Sequence, residues 1–173
     1  MAVKEGRLIF VIGGARSGKS GFALSRASAH AGTKAYIATA QALDDEMRER
    51  IEKHRNERGG EWKTLEEPLR LADLVKDAGS AYDVLLIDCL TLWVSNLLLA
   101  GKEENAETES LQSSLRNCSA TIYLVSNEVG MGIVPDNAPA RKFRDVAGHL
   151  NQEIAGIADE VYLVTAGIPL KLK

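Results

Sequence analysis

The octapeptide Gly13-Gly14-Ala15-Arg16-Ser17-Gly18-Lys19-Ser20 constrains this chain more than any other feature. It matches G-x-x-x-x-G-K-[ST] at every specified position, directly after the apolar run Arg7–Ile12 (RLIFVI), which reads as a buried strand. A helix is expected to follow from Lys19 to Ala31. Glycines let backbone N–H groups turn inward around phosphate oxygens with no side chain in the way. The N-terminus of the following helix adds partial positive charge. In this setting Lys19 bridges the β- and γ-phosphates of a nucleoside triphosphate, and the Ser20 hydroxyl helps to hold Mg²⁺.

Past this loop, short β-branched runs alternate with longer amphipathic segments. Lys34–Thr39, Asp83–Asp88, Thr121–Ser126 and Glu160–Thr165 read as strands, and Ile168–Lys173 as a further edge strand. Asp44–Arg58, Pro68–Ala78, Leu90–Ala100, Glu103–Asn117 and Pro139–Gly156 read as helices, with Pro68 suited to a first helical turn. The strands are nearly continuous apolar runs, as in a parallel sheet covered by helices on both faces. The expectation is an α/β phosphate-loop (P-loop) fold in a single domain over residues 1–173, with no linker or repeat dividing it. Ligands in such sheets sit beyond the carboxyl ends of the strands, so the segments after Ile12, Thr39, Asp88 and Ser126 should line one site.

Composition narrows the class. Apolar residues make up 45% and charged residues 26%, which suits a globular core. The net charge of −3 and pI near 5.7 argue against a nucleic-acid partner, which usually demands a basic excess. No apolar stretch is long enough to span a bilayer, and no leader is evident, so the expected location is the cytoplasm. Cys89 and Cys118 have no metal-type spacing and read as reduced, mostly buried thiols.

Asp88 closes an apolar strand, where an acid contacting the magnesium ion through water belongs; the alternative is a cap for the next helix. The guanine-reading N-K-x-D pattern of small GTPases is absent. On a helical wheel Leu43, Met47, Ile51, His54 and Arg58 share one face. A neutral imidazole at His54, flanked by Arg55 and Arg58, could attack phosphorus while the cations hold the phosphates. From spacing alone, however, a histidine packed at a helix end beside solvated charges is the reading the residues favour. His30 and His149 read as structural. These residues leave three classes open: a small-molecule kinase or transferase, a kinase without a covalent step, and a nucleotide-dependent regulatory protein.

Several blocks together resemble one family. They are GGARSGKS at Gly13–Ser20, YIATAQALDDEMRERI at Tyr36–Ile51, His54-Arg55 with Arg58, and WKTLEEP at Trp62–Pro68. LLIDCLTLWVSNLL at Leu85–Leu98, SNEVGMGIVP at Ser126–Pro135 and the run Phe143–Lys173 complete the set, so nearly the whole chain is covered. The chain is similar to the bifunctional adenosylcobinamide kinase / adenosylcobinamide-phosphate guanylyltransferases of cobalamin biosynthesis. The resemblance implies a RecA-like parallel sheet and a homotrimer. It implies phosphorylation of the aminopropanol hydroxyl of adenosylcobinamide by ATP or GTP. It then implies GMP transfer from GTP to adenosylcobinamide phosphate, through a GMP–histidine intermediate whose position matches His54. Implied guanine-nucleotide contacts are Gly13–Ser20, Ala38, Thr39, Ala40, Arg55, Asn56, Glu57, Arg58, Glu66 and Asp88. The residues that grip the corrinoid are not set by the sequence, and Asn127–Pro135 is a candidate lip for it. The chain departs from the usual pattern at Gly59-Gly60 in place of Arg-Pro, at Asp88 where Glu is common, at Ala40 for Ser and at Lys53 for a second His. None of these removes a required chemical group. Because the γ-phosphate serves one reaction and the α-phosphate the other, the Asp44–Arg58 helix is expected to shift on ligand binding.

Overall fold

The computed structural model describes residues 6–41, 45, 49, 56 and 59–173. Among these, seven strands form one sheet: β1 (Leu8–Gly13), β2 (Lys34–Ala38), β3 (Trp62–Glu66), β4 (Val84–Asp88), β5 (Thr121–Asn127), β6 (Glu160–Thr165) and β7 (Ile168–Lys171). Five long helices lie wholly among the described residues: α1 (Lys19–Ser28), α2 (Leu71–Ala81), α3 (Leu90–Leu99), α4 (Glu104–Arg116) and α5 (Ala138–Ile157). The strand order is β3-β2-β4-β5-β1-β6-β7, parallel throughout except for β7, which pairs antiparallel with β6.

Alternate residues of each strand feed two apolar layers, because successive side chains point to opposite faces. Leu8, Phe10, Leu85, Ile87, Ile122 and Leu124 pack with Leu71, Val75, Trp93, Leu97, Leu111 and Ile154 from α2, α3, α4 and α5. Ile9, Val11, Leu86, Tyr123, Val125 and Val164 pack with Ala23 and Ala27 of α1. Burial on both faces is the reason the strands read as unbroken apolar runs. Helices therefore cover both faces, as expected.

Several boundaries differ from the sequence expectation. β3 was not anticipated: its WKTLE sequence is short and carries charge, and only Trp62 is buried. The second helix starts at Leu71, not Pro68, because Glu67 Oε1 accepts the amides of Leu69 (3.0 Å) and Arg70 (2.8 Å) and holds residues 68–70 in a turn. The first helix stops at Ser28 rather than Ala31, just ahead of Gly32 with φ +98°. Of the helix expected over Asp44–Arg58, only Asp45, Glu49 and Asn56 lie among the described residues, and all three are helical and exposed. Its expected movement, and the one-sided face Leu43, Met47, Ile51, His54 and Arg58, fall outside them.

Candidate nucleotide site

The parallel register stacks the predicted residues at one end of the sheet. Ala38 pairs with both Glu66 and Asp88, Asp88 pairs with Val125, and Gly13 pairs with Asn127. The carboxyl ends of β3, β2, β4, β5 and β1 thus form one continuous rim.

The glycine-rich loop leaves this rim at Gly13 and enters α1 at Lys19. A Cβ on Gly13 would stand 2.4 Å from the Val164 carbonyl oxygen and 2.6 Å from Ser17 Oγ, so no other residue fits. Gly18, the N-cap of α1, has φ +95° and lies against Gly167: a Cβ there would meet Gly167 Cα at 3.1 Å. The Gly167 amide donates to the Ser17 carbonyl at 2.8 Å. The tight β6–β7 turn, in which Ala166 (φ 51°) and Gly167 (φ 78°) are both left-handed, therefore braces the loop from outside.

Two side chains inside the loop suit an anion. Lys19 is buried, and its Nζ donates to the Gly14 carbonyl at 3.0 Å. Ser17 Oγ is buried and has no hydrogen-bond partner among the described residues. Buried hydroxyls are rarely left so, and a phosphate oxygen would satisfy this one. Gly14, Ala15 and Arg16 are exposed around the opening, with Arg16 at φ 57°.

Across the rim, Asp88 is half-buried, and its Oδ2 accepts from Tyr36 Oη at 3.0 Å. It does not cap α3: the N-cap is Cys89, and no side chain makes a cap bond there. Ser20, half-buried in the first turn of α1, and Asp88 are hard oxygen donors of the kind that Mg²⁺ prefers. Burial pushes the Cys89 thiol upward, the Asp88 charge adds to that, and Lys19 opposes it. Asp88 and Lys19 thus act on the same thiol in opposite directions.

Beneath the rim runs a set of polar braces whose bonds the sequence did not reveal, although Thr39 was among the implied nucleotide contacts and Asn127 in the candidate corrinoid lip. Thr39, fully buried, donates through Oγ1 to the Cys89 carbonyl (2.7 Å) and accepts from the Cys89 amide (2.9 Å). Asn96 Nδ2 donates to the carbonyls of Thr39 (2.8 Å) and Pro68 (3.0 Å). Asn127 Nδ2 donates to Thr91 Oγ1 at 2.6 Å, and the Asn127 carbonyl accepts from Asn151 Nδ2 at 3.2 Å. For Asn96 the only sequence signal was a polar residue inside an otherwise apolar helix.

Of the remaining predicted contacts, Ala40 is half-buried after Thr39, Glu66 is exposed at the end of β3, and Asn56 is exposed. His54, Arg55, Glu57 and Arg58 lie outside the described residues. His30 is structural as expected, with Nε2 2.9 Å from Tyr123 Oη. Cys89 is buried and Cys118 only partly so.

A glycine-rich loop between a central parallel strand and its helix, with an acid-bearing strand one strand removed, defines a P-loop nucleotide-binding protein of RecA-like architecture. Consistent with this, a KaiC-like protein from Pyrococcus horikoshii superposes with a TM-score of 0.50 at 18% identity, covering 92% of this chain and 72% of that one. The family model described as cobinamide kinase / cobinamide phosphate guanyltransferase matches residues 9–172. The chain is 44% identical to the bifunctional adenosylcobalamin biosynthesis protein CobU of Escherichia coli, across 96% of this chain and 99% of that protein. It is 46% identical to the bifunctional adenosylcobalamin biosynthesis protein CobP of Pseudomonas aeruginosa, across 94% and 95%. This chain belongs to the cobinamide kinase / cobinamide phosphate guanyltransferase family.

Proposed function

We propose that this protein phosphorylates adenosylcobinamide with ATP or GTP and then transfers GMP from GTP to the product, giving adenosylcobinamide-GDP and pyrophosphate in adenosylcobalamin biosynthesis. The observation that carries this reading is the glycine cradle at the carboxyl rim, with buried Lys19 and the orphaned Ser17 hydroxyl inside it, in a chain of this family.

In the kinase step Lys19 and the loop amides of Gly13–Ser20 hold the triphosphate and offset charge as it develops on the transferring phosphoryl group. Ser20 and, through water, Asp88 would hold Mg²⁺, which would supply charge neutralisation at the phosphates. Tyr36 fixes the Asp88 carboxylate for that task. In the transfer step His54 attacks the α-phosphorus, a role that rests on its match to the family's histidine. Ala38, Thr39, Ala40, Arg55, Asn56, Glu57, Arg58 and Glu66 supply the remaining nucleotide contacts. No helix among the described residues is long and apolar enough to cross a membrane, in keeping with a cytoplasmic enzyme. The single domain is expected to assemble as a homotrimer, which light scattering would check by mass.

The test is to incubate protein and Mg²⁺ with GTP labelled at the α- or the γ-phosphate and look for bound label after denaturation. Acid-labile, alkali-stable label from the α-position alone, lost in His54→Ala, is expected. Lys19→Ala should abolish both activities. No label from either position in folded, GTP-binding protein would instead favour a kinase without a covalent step.

A further inference from the structure

Phosphorylating an alcohol releases a proton, and a positioned base typically contributes about 10²–10⁴-fold to such a step. Among the described residues, four carboxylates stand at or just past the carboxyl end of a parallel strand: Glu66 and Glu67 at β3, Asp88 at β4 and Glu128 at β5. Neighbouring strands lie about 4.8 Å apart, so the strand order sets Glu66 and Glu67 about 19 Å from β1, Asp88 about 10 Å and Glu128 about 5 Å. Glu67 is engaged by the amides of Leu69 and Arg70, and Asp88 faces Tyr36.

Glu128 is joined to the cradle. Its amide donates to the carbonyl of Gly13, the residue that opens the phosphate loop, at 3.0 Å. The preceding Asn127 is anchored to Thr91 and Asn151, so the main chain at Glu128 rests on a rigid platform. The side chain is half-buried, and Oε1 accepts the Gly130 amide at 2.5 Å. That bond uses one of about four acceptor positions on a carboxylate, and the others can receive a proton.

Building on the kinase reading above, we propose that Glu128 is the base of the phosphorylation step. As the substrate oxygen bonds to the γ-phosphorus, the bond from that phosphorus to the β–γ bridging oxygen breaks. Its electron pair leaves with the nucleoside diphosphate. The hydroxyl proton passes to Glu128 and from there to solvent. Guanylyl transfer needs no such base, because its acceptor is a phosphate monoester whose second pKa lies near ~6.

The experiment compares both half-reactions in Glu128→Gln. Glutamine keeps an Oε1 acceptor for the Gly130 amide, so the loop conformation is preserved while basicity is lost. Phosphorylation of adenosylcobinamide should fall about 10²–10⁴-fold in kcat, with the KM for the nucleotide little changed and any change in the KM for adenosylcobinamide far smaller than the loss in kcat. Glu128→Asp should recover part of the rate, and GMP transfer to supplied adenosylcobinamide phosphate should fall far less than phosphorylation does. Near-wild-type phosphorylation by Glu128→Gln would overturn the assignment, as would a parallel loss of both reactions. A wild-type protein that forms the GMP adduct yet never phosphorylates adenosylcobinamide would instead overturn the kinase reading on which it rests.

Discussion

Replacing Thr39 with valine removes one hydroxyl from a fully buried position and changes shape little. Two bonds go with it, the 2.9 Å bond from the Cys89 amide and the 2.7 Å bond to the Cys89 carbonyl. The losses are unequal. The carbonyl keeps the Trp93 amide as a donor at 3.3 Å, so it loses about 0.5–1.5 kcal/mol, the net worth of one bond. The amide loses its side-chain acceptor in a buried place, which costs about 1–3 kcal/mol. Together Thr39→Val should destabilise by about 2–4 kcal/mol, or about 5–15 °C in Tm for a chain of this length. Thr39→Ser is the control: it keeps the hydroxyl and deletes one methyl, which costs about 1 kcal/mol. Urea unfolding of the three proteins, read by circular dichroism, ranks them. A serine variant weaker than the valine variant would show that the methyl, not the brace, matters, and a valine variant within a few tenths of a kcal/mol of wild type would refute the reasoning outright.

Glu160 is held by Tyr162 Oη, with Lys171 and Arg7 adding to the effect, and its carboxyl is pulled down from 4.5 to about 2. A depressed folded-state pKa contributes stability above about pH 4.5 and loses it as pH falls toward about 2. The stability gap between wild type and Glu160→Gln should therefore be full at neutral pH and shrink through that window, whereas a pH-independent gap would refute the linkage. A Cβ on Gly79 would stand 2.4 Å from Cys118 Sγ, so Gly79→Ala should cost about 1–3 kcal/mol by overpacking. In a Cys118→Ala background the clash is gone and alanine's helix propensity remains, so the double variant should be more stable than the sum of the singles. Simple additivity in denaturant unfolding would contradict that geometry.

The fold was legible where one physical signal dominated. β6 matches Glu160–Thr165 to the residue because the apolar run Val161–Val164, flanked by Glu160 and β-branched Thr165, begins shortly after α5 ends at Ile157. The cradle was legible because its glycines answer to steric demands, as the Val164 contact at Gly13 shows. β3 was not, because an edge strand with four of its five residues partly or fully exposed carries no strong pattern. The start of α2 was missed for a different reason: Pro68 fits a first helical turn by propensity, but Glu67 captures the next two amides. Nor could local pattern reveal the Thr39–Cys89 brace or the Glu128–Gly13 bond, which join residues far apart in sequence through the strand order.

The turn that braces the phosphate loop has a consequence for how the protein is made. Ser17 and Gly167 lie nearly the whole chain apart, yet the loop is enclosed only when the β6–β7 turn packs on Gly18 and its amide meets the Ser17 carbonyl. During synthesis the strand, loop and helix that carry the motif emerge well before the β6–β7 turn that closes them. Such a long-range contact is slow to form and cannot be made early. Until that turn emerges the nascent chain therefore carries a recognisable motif but no finished cradle, and nucleotide binding becomes a report that the sheet has assembled as far as β6 and β7.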